Sequence, residues 1–395
     1  MKLIEVKNTR DKRLFIKISR NFYKDDPNFV CPPDMLIESI FDPKKNVYAR
    51  EGDFCRWYMV DEKGNLTGRV AAFINPRKAY GFQQPTGGMG FFECVDDQDA
   101  ANMLFDRCRD WLMERGMLAM DGPVNFGENE NYWGLLVDGF IQPAVGMAYN
   151  KPYYQKLFEN YGFKLYFEQV TNHLNLTKPF PERFWKIADW VRQKPGYRFV
   201  HATFANLDKY IDDLREIYEE AWENHENFVP MDIEDLRKKV REARSYLIED
   251  FIWFAYNENE PIAFLVMYPD INQVLKYFNG KMHLLNKMRF AYLIKKRIIT
   301  RARIVVMGVK PKYQRYGIES GIFWHMDKMM KKYPEYTELE LSWVGDFNPK
   351  MRALHENVGA TFGKRHITYR KVFKGELDCQ RSKIIPLDTK YKNKS

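Results

Sequence analysis

Cysteine is scarce in this chain. Five residues (Cys31, Cys55, Cys94, Cys108, Cys379) are scattered over 395 positions. Their number is odd and none forms a C-x-x-C pair, so neither a disulfide framework nor a zinc site is indicated. A reducing compartment, the cytoplasm, is the expected setting. No H-E-x-x-H motif is present either, and no metal is expected. No apolar run approaches the roughly 18 residues of a membrane span. The opening MKLIEVKNTRDKR has no apolar core behind its charges, which argues against a signal peptide. Acidic residues are missing from one stretch altogether: 271–303 holds nine Lys or Arg and no Asp or Glu. The formal net charge is +9, so that stretch equals the whole excess. A general nucleic-acid binder more often spreads its cations over a domain face, so no nucleic-acid partner is expected.

What is present reads as an ordinary globular mix, 45% hydrophobic and 29% charged. The length fits two domains at roughly 150 residues each. The first fifty residues read as helices and loops. Strands follow at 54–60 and 68–74 around Glu62-Lys63-Gly64-Asn65, and another through Met89 to Cys94. Asp96 or Asp97 then caps a helix whose apolar face is Ala101, Leu104, Phe105, Cys108, Trp111 and Leu112, with Gly116 as its stop. A strand near Leu118, a helix from Pro152 to Gly162 and a strand from Phe163 to Leu176 end this half. The second half repeats the plan: helices near 181–193, 207–224 and 233–246, a hairpin of strands at 251–256 and 262–268, and a strand at 304–309. A turn, a helix to Lys332, and a strand–helix–strand series at 338–344, 349–358 and 366–372 complete it. The order of elements predicts a mixed α/β (α+β) fold in each half.

The strand Ile304 to Val309 runs into Lys310-Pro311-Lys312-Tyr313 and then Gln314-Arg315-Tyr316-Gly317-Ile318-Glu319. A glycine-bearing turn between a strand and a helix N-terminus offers backbone N–H groups and the positive end of the helix dipole, which suit a pyrophosphate. This strand–turn–helix resembles the acyl-CoA site of the GNAT superfamily, whose loop reads Gln/Arg-x-x-Gly-x-Gly/Ala. Gln314 and Gly317 match; Glu319 stands where a small residue is usual. The run Glu340 to Pro349 followed by Met351 to Ala360 is similar to the superfamily's next strand and helix. A wider similarity covers most of the chain. It runs through Tyr23 to Val30, Asp42 to Asn46, Gly90 to Cys94, Gly122 to Asn125, Gly134 to Phe140, Asp270 to Gln273 and Asn279 to Lys281. The group it points to is a bacterial, tandem-domain GNAT-like group that includes sphingoid-base N-acyltransferases, the bacterial ceramide synthases.

The resemblance implies two tandem GNAT-like domains, each a mostly antiparallel sheet flanked by helices. Residues 1–177 would form an N-terminal domain without a CoA loop, because Asp96-Asp97-Gln98-Asp99 stands at its helix start and acids there repel a pyrophosphate. Residues 178–378 would form the acyltransferase domain, with 271–303 as an insertion and 379–395 as a disordered tail. Met307, Gly308, Val309, Gln314, Arg315, Tyr316, Gly317, Ile318 and Asn348 would contact acyl-CoA, acetyl or longer, as co-substrate.

Amide formation from a thioester needs a deprotonated amine, a polarised carbonyl and a protonated leaving thiolate. A backbone N–H near Gly308–Val309 can polarise the carbonyl. Glu340, an acid in an apolar strand, is either the general base or a residue pointing to solvent. Tyr369 is either the acid for the thiolate or a core tyrosine. His325 lies near an apolar helix face and reads as packed. The similarity also falls on Glu93 and Asn125, which are expected on the acceptor side of the cleft.

Val274, Leu275, Phe278, Met282, Leu285, Met288, Phe290, Leu293, Ile294 and Ile298 interleave with the nine cations of 271–303. That composition suits an amphipathic helix on an anionic membrane, a packed insertion with its cations in water, or an RNA-binding surface. The expected function is N-acyl transfer from acyl-CoA to an amine, a long-chain lipid amine at the inner face of the membrane being one acceptor. A small amine or amino acid, and a non-catalytic acyl-CoA- or lipid-binding fold, are the alternatives.

Overall fold

The computed structural model describes residues 1–82, 84–223, 230–244, 246–373 and 379–385. Of the tail at 379–395, residues 386–395 lie outside the described residues. Two compact units divide the chain. The first is 1–170 with 274–292 and 364–383; the second is 171–273 with 293–363 and 384–395. This division differs from a single boundary at 177. The last strand and the middle of the basic segment group with the first unit. Chain order alone gives no sign of either exchange.

In the first unit, strands Lys2–Glu5, Asp53–Val60, Leu66–Ile74 and Thr86–Cys94 pair antiparallel in sequence order. Ala119–Gly122 then pairs parallel with Thr86–Cys94, register Thr86↔Ala119 to Gly88↔Asp121. The far end of the chain supplies the next neighbour: Tyr369↔Gly122 to Val372↔Ala119, antiparallel. The helix Gln98–Met113 covers this sheet. Its N-cap is Asp97, whose side chain accepts from Asp99 and Ala100 N–H. Ala101, Leu104, Phe105, Cys108 and Leu112 are all 0% exposed, the face that the i, i+3, i+4 spacing predicts. Truncating Leu104 there would cost about 2–5 kcal/mol. The strand Lys2–Glu5 and the short strand Leu135–Asp138, which pairs with Arg365–Ile367, carry too few residues to show a period.

The second unit has the same scheme. Glu338–Gly345 pairs parallel with Arg301–Val309, register Arg301↔Glu338 to Arg303↔Glu340. Arg301–Val309, Glu260–Pro269, Ile252–Asn257 and Tyr197–His201 then pair antiparallel in turn. The helix Leu207–Trp222 packs through Ile217, Tyr218 and Trp222 on Phe254 and Phe264. The helix Ile318–Met330 buries Ile318, Ile322, Phe323 and Met326. It comes so close to the sheet at Gly321 that a Cβ there would lie 2.4 Å from the Phe199 ring. Each unit is thus a mixed α/β layer structure with a mostly antiparallel sheet, as the element order predicts.

Candidate functional site

The second unit holds the strand–turn–helix singled out in the sequence. The parallel register stops at Arg303↔Glu340, while the strands run on to Val309 and Gly345. Gly317 initiates the helix with φ +70°, a backbone that only glycine adopts at no cost. Gln314 is pinned at both ends: its Nε2 donates to the Val309 carbonyl (3.1 Å) and its Oε1 accepts from Lys350 Nζ (3.0 Å). Arg315 and Tyr316 are exposed and Glu319 is half-buried. Burial pushes the Glu319 carboxyl up, opposed by its own backbone N–H and by Lys350. Burial pushes the Lys350 amine down, with Glu319 opposing and Arg315 adding to the depression. The turn is therefore a helix N-terminus with two cations and one weakened carboxylate. Asn348 lies at the next helix, where its Oδ1 accepts from the Met351 N–H (3.2 Å) as N-cap.

Gly308 faces a wall of aromatics. A Cβ on Gly308 would lie 2.5 Å from Trp222 and 2.9 Å from Phe264. Trp222 stacks on Tyr218 with ring centroids 4.6 Å apart. Glycine is required here because the indole approaches the strand.

Glu340 does not meet the solvent-facing expectation. It is 0% exposed, so it does not point to solvent. Arg303 Nε lies 3.9 Å from its Oε1 and His173 Nε2 3.4 Å from its Oε2; His173 Nδ1 bonds Glu338. This is a buried ion cluster rather than a solvent-facing carboxylate. Tyr369 is buried as well. It belongs to the first unit, is 1% exposed, and packs on Phe158 and Phe163. Its hydroxyl donates to Glu159 Oε1 (2.9 Å), and burial with that carboxylate pushes the phenol well up. It is the core tyrosine of the two readings. His325 stacks on Phe199 (5.1 Å) as a packed histidine.

The first unit gathers the residues that carry the wider similarity. Glu93, 6% exposed, accepts from Tyr23 and Tyr154 hydroxyls at Oε2 (2.8 Å each) and from Arg69 at Oε1 (3.3 Å). Burial pushes its carboxyl up, while Arg69 and the two hydroxyls pull it down. Burial and the Glu93 charge push both phenols well up, so both stay protonated donors. Tyr23 stacks on Phe29 (4.2 Å), and Lys151 Nζ lies 4.7 Å from the Tyr23 ring.

Asn125 follows the short strand Ala119–Gly122. The Val124 N–H donates to the Met89 carbonyl (2.9 Å), which sets Asn125 beside the strand that ends at Glu93 and Cys94. It is 8% exposed, and among the described residues its Oδ1 has no hydrogen-bond partner. The loop after it is no mere solvated turn: Asn46 donates to the Phe126 carbonyl (2.8 Å), Tyr48 bonds Glu128, and Lys78 donates to Asn129 (2.7 Å).

Other runs of the similarity join the same unit. Asn28 donates to the Phe140 carbonyl (3.0 Å), the Gly134 N–H to the Pro123 carbonyl (2.9 Å), and Arg20 Nε to the Asn279 carbonyl (2.9 Å). Tyr23 opens a run of the resemblance, but Arg69 and Tyr154 are not singled out in the sequence. Arg69 carried a usable signal, a cation inside the apolar strand Leu66–Ile74, since a buried arginine needs a partner.

No family model matches the chain. Two curated proteins are similar over nearly its whole length. One is Protein YghO of Escherichia coli, 26% identical over 372 residues, 92% of this chain and 93% of that protein. The other is the bacterial ceramide synthase of Caulobacter vibrioides, 27% identical over 381 residues, 94% and 97% respectively. Among solved structures, a tandem GNAT protein of the clavulanic acid biosynthesis pathway superposes with TM-score 0.55 at 10% identity, covering 94% of this chain and 98% of that one. A GNAT protein of Sphaerobacter thermophilus gives TM-score 0.51 at 12% identity, covering 96% and 98%. A glucosamine N-acetyltransferase region of a fungal multi-domain β-N-acetylglucosaminidase gives TM-score 0.57 at 12% identity; the match covers 94% of this chain and 38% of that one. The chain has the tandem GNAT fold. Within that class, its sequence resemblance to the bacterial group that includes ceramide synthases is borne out along almost the whole chain.

Proposed function

We propose that this chain is an N-acyltransferase that moves an acyl group from acyl-CoA to an amine, a long-chain lipid amine being the favoured acceptor. The observation that carries this reading is the second unit's turn: parted parallel strands, Gly317 at φ +70° opening a helix, and Arg315 and Lys350 beside it. Backbone N–H groups and two cations suit a pyrophosphate. Glu319 opposes it, but the carboxyl is half-buried, pushed up and faced by Lys350, which lowers the repulsion. The stacked Tyr218 and Trp222 against Gly308 form an apolar wall along the strand, suited to an acyl chain. The lipid amine rests on the Caulobacter relative's name and on the similarity that converges around Glu93.

In the reaction the amine nitrogen attacks the thioester carbonyl. A C–N bond forms, the C–S bond breaks, one proton leaves the nitrogen and the thiolate is protonated. Glu93 is the candidate base. Burial raises its carboxyl above the ordinary glutamate value, against Arg69 and the two hydroxyls, which makes it a better proton acceptor. The Asn125 Oδ1, buried with no protein partner among the described residues, is a candidate acceptor for an N–H of the amine.

The test is free-thiol release from acyl-CoA of varied chain length, offered a sphingoid base, a small amine or an amino acid. Release that depends on the long-chain base is the expected result. Release only with small amines would replace the acceptor class. CoA binding without release under any acceptor would make the chain a binder rather than an enzyme.

A further inference from the structure

The helix Leu284–Lys295 holds four large apolar or aromatic side chains exposed, while Phe290, Leu293 and Ile294 are half-buried. Leu284 is 73% exposed, Leu285 71%, Met288 62% and Tyr292 57%. At 3.6 residues per turn these four positions fall within an arc of about 100°. Water-exposed leucines clustered on one face mark an interaction surface.

This display does not come from a loose segment. On its N-terminal side Val274, Leu275 and Phe278 are buried, and the Asn279 and Gly280 carbonyls accept from Arg20 Nε and the Asp34 N–H, both at 2.9 Å. On its C-terminal side Ile299 is buried. The segment is anchored at both ends and holds the helix face out.

The segment's own charges are all positive. Arg301 and Arg303 are buried beside Asp270 and Glu340, and Arg297 lies 3.6 Å from Glu335. The remaining cations, Lys276, Lys281, Lys287, Arg289, Lys295 and Lys296, are exposed, and 271–303 has no acid. By the same spacing Lys295 falls within the apolar arc, Arg289 borders one edge and Lys287 lies beyond the other.

We propose that this face docks the protein on an anionic lipid bilayer. Leu284, Leu285, Met288 and Tyr292 enter the boundary between headgroups and acyl chains, and the flanking cations meet lipid phosphates and carboxylates. Long Lys and Arg stems can lie along the apolar face while their charges reach the headgroups. A nucleic acid would answer the cations and leave the leucines in water. A second copy of the chain would cover the leucines but set cation against cation.

The proposal stands apart from the acyl-transfer reading, because it is read without substrate. The full chain is sedimented with phosphatidylcholine vesicles and with vesicles that also contain phosphatidylserine. The expected result is binding at least about tenfold stronger to the serine-containing vesicles, since each cation near such a surface adds roughly 1 kcal/mol. The paired change Leu284→Asp with Leu285→Asp should lower binding by about tenfold or more, and so should Lys295→Glu with Lys296→Glu, at unchanged melting temperature. Absence of binding to anionic vesicles, equal binding to neutral ones, or wild-type binding by the leucine variant would each overturn it. Binding of single-stranded RNA without vesicle binding overturns it as well. So does a dimer that the leucine variant dissociates, if vesicles are not bound.

Discussion

The two units repeat one scheme and equip it differently. In the first, the helix after the parting strands is capped by Asp97, whose carboxylate takes the Asp99 and Ala100 N–H groups (2.9 and 3.0 Å) that a phosphate would need. In the second, the corresponding helix starts at Gly317 without a side-chain cap, beside Arg315 and Lys350. Their buried carboxylates differ too. Glu93 is held by two protonated phenols and one arginine, an environment that leaves its charge adjustable. Glu340 is sealed at 0% exposure between Arg303 and His173. One fold thus carries an anion-ready helix end in one copy and a hydrogen-bonded, tunable acid in the other. A duplicated scheme need not duplicate its chemistry.

The largest expected effect tests the sealed carboxylate. Glu340→Ala leaves Arg303 buried and should cost about 3–5 kcal/mol of stability in urea unfolding. Glu340→Gln, wherever it folds, should keep its turnover. A Gln variant that melts like the wild type yet loses turnover would make Glu340 chemical and erase the contrast with Glu93. Next comes Glu93→Gln, expected to lower kcat about a hundredfold with CoA affinity in calorimetry unchanged. Tyr23→Phe removes one hydroxyl from Oε2 and nothing else. It should lower kcat about tenfold and shift the pH–rate profile upward, because the carboxylate loses a donor that favours its charged form. Unchanged profiles in both variants would make the cluster structural.

Much of this contrast was legible in the sequence, and the rest was lost for identifiable reasons. Gly317, Asp97 and the helix face from Ala101 to Leu112 act through local spacing, so they could be read directly. Glycine stops at Gly116 and Gly162 adopt φ +79° and +91° as stop signals should. The surroundings of Glu340 are not legible because an acid in a strand looks the same whether it faces water or a buried arginine; Arg303 becomes its neighbour only through the parallel register. The core reading of Tyr369 cannot be chosen from the sequence because the last strand pairs with Ala119–Gly122, far away in the chain. Around Glu93, Tyr23 and Glu93 itself lay in runs that carry the family resemblance. Tyr154 had no signal, because a tyrosine at a helix start says nothing of where its hydroxyl goes.

The helix ends themselves give a paired test. Arg315→Glu, an exposed change, should weaken CoA binding about tenfold, with the loss shrinking at high salt. In the first unit, Asp97→Ala removes the cap and should cost about 1 kcal/mol of stability without changing CoA affinity. Equal CoA affinity in wild type and Arg315→Glu would remove the phosphate role from the second unit's turn. New CoA affinity in Asp97→Ala would show that only the cap separates the two units.

The smallest effect lies in the second unit's interior and is read by pH. His355 is 5% exposed, and Asn172 Nδ2 lies 3.1 Å from its Nδ1, so the ring is held neutral with Nδ1 as acceptor. Burial pushes its pKa down to about 4. The folded value lies below the unfolded one near 6.5, so the unfolded chain binds the extra proton. The stability contribution is present above pH 6.5 and is lost as pH falls from there toward 4. Between pH 8 and pH 6 the loss should be about 1 kcal/mol. His355→Gln keeps an acceptor for Asn172 and cannot titrate, so its unfolding midpoint should fall less over that interval than the wild type's, the buried and likewise depressed His325 supplying the remainder. Parallel slopes for the two proteins would place the titrating group elsewhere.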